Sequence, residues 1–242
     1  MTDSKQPREK PAAPVFSPSP ASPEQAVPEY LNSLYHRCYF DMTFSSGLDG
    51  EWMAKFTTFF FMNRLTRCVT DEVFEGQRVL QMGISSGNFE REIAGKMNQN
   101  GVYHIEDISP IRLIACKNKL APWTNVTFEE KDVGVSNKKR YNVVVCFFLL
   151  HEMPDPRKRD AVARALDSLL PDGRVIFVDY NRPSPFNPLG YAVKWFNRMY
   201  EPFAESLWDN EIQSFAKNTD RFIWDKKTFC GGLYQCVIAQ KK

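Results

Sequence analysis

The segment Val79-Leu80-Gln81-Met82-Gly83-Ile84-Ser85-Ser86-Gly87 reads as a buried strand that runs into a glycine turn and then a helix. Glycine at such a turn lets backbone approach a ligand, and the amino end of the next helix suits an anionic group. Two glycines four apart also suit a purely structural turn. A second mark points to a nucleotide-type ligand. Asp107 stands 20 residues after Gly87, at the end of the next predicted strand. An acid at that offset can accept hydrogen bonds from both hydroxyls of a ribose, with Ile108 beside it. Asp132 and Val133 follow the third predicted strand, where a base edge would lie.

A second group could do acid–base or metal chemistry. His151, Glu152, Asp155 and Asp179 lie just beyond the fourth and fifth predicted strands. Carboxylate oxygens with an imidazole are donors that a hard divalent metal takes, so His151 and Asp179 are the candidate metal ligands. His151-Glu152 is not the HExxH zinc motif, and Asp155 also reads as a loop or cap residue before a helix. Tyr35 and Tyr39, one helical turn apart, are candidates for substrate or cofactor contact. His36 and His104 read as surface or structural residues.

The elements that must position these groups follow from periodicity. Residues 29–75 read as a helical lid: Tyr30, Leu31, Leu34 and Tyr35 share a helical face, and residues 51–68 form an aromatic-rich second helix. From residue 77 short apolar runs alternate with amphipathic stretches. Strands are predicted at 78–82, 102–106, 126–129, 142–148 and 174–179, with helices at 88–97, 111–120 and 157–170. Ser109-Pro110 is a cap and first-turn proline for the second of these helices. The alternation predicts an α/β, Rossmann-like fold with a mostly parallel sheet and helices on both faces. Pro183–Pro188 interrupts it, residues 183–212 form an aromatic helical insertion, and two short strands near 221–224 and 233–239 close the chain.

Bulk properties bound the rest. A chain of 242 residues predicts one compact domain, here spanning 29–242. The first 28 residues hold seven of the sixteen prolines and read as a disordered tail. Net charge is +2 without a dense basic tract, which argues against nucleic acid. Six cysteines without CxxC spacing read as free thiols in a reducing compartment. No apolar run reaches the roughly 20 residues that span a bilayer.

The motifs carry a family resemblance. Val79–Gly87, Asp107-Ile108-Ser109-Pro110, Asp132, Leu150–Pro156 and Leu169–Arg174 occur in the order of class I methyltransferases that use S-adenosylmethionine (SAM). They look most like the UbiE-type quinone enzymes. Gln81 stands where those enzymes carry an acid, and Ser85 where the middle glycine falls. With Pro28-Glu29-Tyr30-Leu31, Tyr35 and Tyr39, this resembles the RquA-type rhodoquinone-biosynthesis proteins over roughly residues 28–240. The resemblance implies a SAM site built from Gln81, Gly83, Ser85, Gly87, Asp107, Ile108, Asp132 and Val133. It implies replacement of a ubiquinone methoxy group by an amino group, with SAM as amino donor and manganese required. Gln81, His151, Tyr35 and Tyr39 are then the expected catalytic residues. Expected partners are ubiquinone and a membrane surface, with the protein peripheral to the inner membrane in a bacterial cytoplasm or mitochondrial matrix.

Gln81 invites a physical reading. An acid there would pair with the cofactor's ammonium and favour its charged form. A protonated amine has no lone pair and cannot attack a quinone carbon, so an amide would ease that attack. Glutamine can still accept a hydrogen bond from the amine, so the substitution also fits drift. Two other readings stand beside the first: a SAM-dependent methyltransferase of quinone biosynthesis, and a non-catalytic SAM-fold partner in a quinone-synthesis complex. A greasy quinone would need an apolar mouth, for which the lid aromatics and the segment 188–208, with Tyr191, Trp195, Phe196, Lys194 and Arg198, are candidates.

Overall fold

The computed structural model describes residue 28 and residues 61–85, 87–135 and 140–242. Tyr30, Tyr35, His36, Cys38, Tyr39, Trp52, Phe56 and Ser86 lie outside these residues, as does most of the predicted lid.

Helix α1 (Met62–Thr70) buries Leu65 and Val69 and packs on α2. Strand β1 (Arg78–Met82) leads to α2 (Phe89–Met97), β2 (Val102–Asp107), α3 (Pro110–Lys119) and β3 (Val126–Glu130). The chain continues through β4 (Tyr141–Phe147), α4 (Asp155–Asp167), β5 (Leu169–Tyr180) and α5 (Pro188–Tyr200). It then passes through short turns and the four-residue α6 (Ser206–Asp209) before ending with β6 (Phe222–Phe229) and β7 (Tyr234–Lys241). The seven strands form one sheet in the order β3-β2-β1-β4-β5-β7-β6. Strands β1 to β5 are parallel, and β7 is antiparallel to both β5 and β6. The expected α/β Rossmann-like architecture is present.

Strand β4 sits at the centre, and every residue from Val143 to Phe147 is buried, as its unbroken apolar run predicts. The α3 cap also forms as read: Ser109 Oγ accepts from Arg112 N at 3.3 Å, with Pro110 in the first turn. One boundary moves. Leu169 and Leu170, expected in the helix, begin β5, because Leu169 pairs with Tyr141. The Leu170–Gly173 stretch is an excursion before pairing resumes at Val143 with Arg174. Asp172 takes φ +61° there, which a helix cannot accommodate. The terminal strands run to eight residues each, longer than periodicity suggests, because β7 gains partners on both sides. Cys68, Cys116, Cys146, Cys230 and Cys236 are free thiols.

Candidate functional site

In an open parallel sheet, ligands bind beyond the carboxyl ends of the strands where strand order reverses. Here that point lies between β1 and β4. Gly83 at the end of β1 has φ +78°, and a Cβ there would come within 2.8 Å of Leu149. The positive φ favours glycine there, while the Leu149 methyl could shift to make room for a Cβ.

Asp107 at the end of β2 faces this turn and is buried. Its Oδ2 accepts from Ile84 N at 2.7 Å, and its Oδ1 from Ser109 N at 2.8 Å. The Arg112 guanidinium lies 3.6 Å from Oδ2 and donates to Ile84 O. A carboxylate has about four lone-pair sites, so Asp107 keeps acceptor capacity for a diol. Asp132 accepts from Gly134 N at 2.8 Å and from Arg157, while Val133 O accepts from Arg164 at 3.0 Å. Ile108 is half-buried at the mouth of the turn.

Gln81 is fully buried, and its amide is committed inward. Nε2 donates to Gly83 O at 2.9 Å and to Glu90 Oε1 at 3.0 Å. Oε1 accepts from the Tyr103 hydroxyl. Glu90, in the first turn of α2, also accepts from Ser85 N at 2.7 Å. Its second oxygen pairs with Lys119 Nζ at 2.8 Å, and the same ammonium donates to Gly87 O at 2.9 Å. The expectation that the amide strips negative charge from this vicinity is therefore corrected: a buried carboxylate stands against Gln81, neutralised from behind by Lys119.

A second cluster lies beyond β4 and β5. Asp179 accepts from Leu150 N at 2.8 Å, His151 N at 3.3 Å and Tyr180 N at 2.8 Å. It also holds His151 Nδ1 at 2.9 Å. The other ring nitrogen of His151 lies 3.7 Å from Glu201 Oε1, just after α5, and Tyr180 hydrogen-bonds Glu201. Burial alone would lower the His151 pKa, but Asp179 and then Glu201 outweigh it and raise it to about 10. The imidazole is thus a proton donor at neutral pH. Phe148 packs edge-on against His151, Tyr180 and Tyr234. It does so at φ +51°, a left-handed conformation that costs about 1–3 kcal/mol and recurs at ligand sites.

A methyltransferase-domain family model matches residues 53–220. The chain belongs to the class I SAM-dependent methyltransferase family. No curated protein matches it. Among solved structures it is similar to the N-methyltransferase NodS from Bradyrhizobium japonicum WM9, with TM-score 0.54 and 12% identity over 74% of this chain and 93% of that one. NodS in complex with S-adenosylhomocysteine gives TM-score 0.54 and 13% identity over 88% and 98% of the two chains. An O-methyltransferase family protein from Burkholderia thailandensis gives TM-score 0.61 and 14% identity, over 76% of this chain and 57% of that one. At these identities the likeness shows the fold.

Within this methyltransferase fold, the structure brings Gln81, Gly83, Ser85, Asp107 and Asp132 to one edge of the sheet, together with His151 and Asp179. Reading the sequence missed Tyr103, Glu90, Lys119, Tyr180 and Glu201. Glu90 had a signal, as an acid in the first turn after a glycine turn, but Lys119 and Glu201 are brought close only by folding. Manganese finds a poor donor set. Both Asp179 oxygens are spent on hydrogen bonds, which leaves no open set of ligand atoms with His151. Among the described residues, His104, Glu106 and Glu129 have ligand atoms within 4.8 Å of one another. That cluster already holds the Arg164 guanidinium on Glu106, which opposes a cation. His104 is structural there, bonded to Tyr141 at 2.5 Å.

Over residues 188–199, helix α5 buries a stripe of Gly190, Val193 and Asn197. Tyr191, Trp195 and Met199 are 69%, 65% and 54% exposed, and Phe186 just ahead is 94% exposed. Arg182, Lys194 and Arg198 line a cavity of about 450 Å³ beside the helix. Lys194 lies over the Trp208 ring at 5.8 Å. Among the described residues, no helix is long and apolar enough to cross a membrane.

Proposed function

We propose that this chain is a SAM-dependent transferase of quinone metabolism that replaces a ubiquinone methoxy group by an amino group, with SAM as the amino donor. The observation that carries the reading is Gln81: an amide at the family's acid position, turned inward onto Gly83, Glu90 and Tyr103. The carboxylate of this turn, Glu90, is held against Gln81 and paired with Lys119, so the cofactor's amine meets an amide at that strand end and its neutral, nucleophilic form is easier to populate. In this reading Asp107 and Ile108 hold the ribose, Asp132 and Val133 face the adenine, and Gly83, Ser85 and Gly87 pass beneath the methionine moiety. NodS, of the same fold, is seen with S-adenosylhomocysteine, in keeping with SAM as cofactor.

The amine adds to the ring carbon that bears the methoxy group. A C–N bond forms, the C–O bond breaks, and methoxide leaves as methanol, the proton it gains being balanced by the one that the attacking nitrogen returns to the donor. His151, held protonated between Asp179 and Glu201, donates a proton to the departing oxygen or the ring carbonyl. Release of the amino group then requires the Cα–N bond of the resulting secondary amine to break, nitrogen keeping the electron pair and gaining a proton while the methionine skeleton loses a Cβ proton and leaves as an alkene. The manganese implied by the resemblance has no matching ligand set among the described residues, and no step is routed through it. Tyr35 and Tyr39 remain candidate contacts to substrate. The exposed aromatics of α5, flanked by Lys194 and Arg198, suit a membrane surface where a polyprenyl quinone resides, on the cytoplasmic or matrix side of an inner membrane.

A second reading, methyl transfer to a quinone precursor, is favoured by Glu90, whose buried negative charge stands one amide away from the turn. The deciding experiment incubates the purified protein with short-chain ubiquinone, manganese and SAM labelled at its amino nitrogen. Amino-for-methoxy exchange carrying the label, seen by mass spectrometry, supports the first reading. S-adenosylhomocysteine with a methylated product supports the second. Failure to bind SAM in calorimetry overturns both in favour of a non-catalytic partner.

A further inference from the structure

We infer that Gln81 and Glu90 are a matched pair: the acid of this turn is carried by the first turn of α2, and Gln81 must be an amide because Glu90 faces it. The inference rests on the reading that this turn holds SAM. Its geometry is independent of that reading.

Gln81 and Glu90 are both fully buried, with Nε2 and Oε1 3.0 Å apart. A carboxylate at 81 would put two acidic oxygens at that separation, sharing a single ammonium, Lys119. Like charges so close cannot both ionise without cost, so one would take up a proton. With an amide at 81 the contact becomes a donated hydrogen bond. Both amide hydrogens are then used, on Gly83 O and Glu90, and the amide oxygen accepts from Tyr103. The orientation of Gln81 is thereby fixed by three partners.

The functional consequence lies in where the charge ends up. Glu90 grips the turn from behind through Ser85 N at 2.7 Å, and Lys119 ties the same carboxylate to Gly87 O. The negative charge therefore shapes the turn while being neutralised on the side away from the ligand. Glu90 is a positioning residue: it acts through Gln81 and the turn backbone. A ligand amine above the turn meets a dipole, not a carboxylate, and the site tolerates its neutral form. Exchanging the two side chains would return the charge to β1 and make the site select the ammonium form.

The test compares the full chain with Q81E, E90Q and the exchange Q81E/E90Q. The probe is S-adenosylhomocysteine, titrated calorimetrically at several pH values, with thermal unfolding measured alongside. Q81E is expected to lower Tm by about 5 °C at pH 8 and by less at pH 5, where one carboxylate is protonated. The exchange variant should recover most of that loss. Its affinity should weaken by up to about tenfold per pH unit above the pKa of the ligand amine, while the parent changes by less than about threefold. A Q81E that fails to fold while the exchange variant folds also supports pairing. The inference is overturned if Q81E is as stable as the parent, if the exchange variant's loss is the sum of the two single losses or the variant does not fold, or if parent and exchange variant share one pH profile. If the parent itself does not bind S-adenosylhomocysteine, the SAM reading fails, and the Tm comparison still decides the pairing.

Discussion

The two halves of the site treat polar atoms in opposite ways. Around the turn after β1, the side chains of Gln81, Glu90, Asp107 and Asp132 are hydrogen-bonded to protein. Around β5, β7 and α5 stand most of the buried atoms without a protein partner among the described residues: both amide atoms of Asn197, Glu201 Oε2, Trp208 Nε1 and Gln235 Oε1, against Arg164 Nε and Asn125 Oδ1 elsewhere. An unpaired buried polar group costs about 1–3 kcal/mol. The first half is thus the better satisfied within the protein, with acceptor capacity left on Asp107 for a ligand. The second carries unmet hydrogen-bonding capacity and an exposed aromatic helix, as expected of a surface that is finished by what it binds.

The contrast can be broken at its joint. Asp179→Ala removes the acceptor for three backbone N–H groups and the counter-ion of His151, and should cost about 3–5 kcal/mol in urea unfolding along with nearly all activity. A loss below about 1 kcal/mol would mean that this carboxylate is not the anchor. The same pair makes stability depend on pH. His151 has its pKa raised from the ordinary 6.5 to about 10, so its contribution is fully present below about pH 6.5 and is lost as pH rises through about 10. His151→Gln should flatten the stability profile across that window, and an unchanged slope would assign the dependence elsewhere.

A smaller effect of opposite sign sharpens the comparison. Asn197→Leu deletes two unpaired polar atoms from a buried position, so stability should hold or rise by up to about 1 kcal/mol while turnover falls. Equal losses of both would show that Asn197 is an ordinary structural residue. The smallest stability effect belongs to the exposed helix face. Trp195→Ser should change stability by less than about 0.5 kcal/mol, because the ring is 65% exposed. Cosedimentation of the full chain with anionic phosphatidylglycerol vesicles should nevertheless weaken several-fold. Unchanged vesicle binding would remove α5 from the membrane reading.

Much of the framework was legible in one dimension. The switch from helical to strand-and-helix rhythm at residue 77, the glycine turn, Asp107 at its offset and the apolar run of β4 are local signals, set by side-chain period and backbone freedom. They were enough to place five parallel strands and to put Gln81, Asp107, Asp132, His151 and Asp179 on one edge. The boundary at Leu169 was not legible, because a strand partner, Tyr141, outweighed helical rhythm there.

What the sequence by itself determined is therefore the scaffold and the place of Gln81 at the end of its first strand. What only the tertiary structure decided is which groups surround that amide. Glu90 and Lys119 lie 9 and 38 residues further along the chain, and no local pattern couples them to Gln81. Folding buries Gln81 and Glu90 together with the partly exposed Lys119 beside them, and in that setting the proposed pairing of amide with carboxylate arises. His151 likewise gains its character from Asp179 and Glu201, which a parallel sheet and a following helix bring from 28 and 50 residues away. Charge and burial are properties of neighbourhoods, and neighbourhoods are set by the fold.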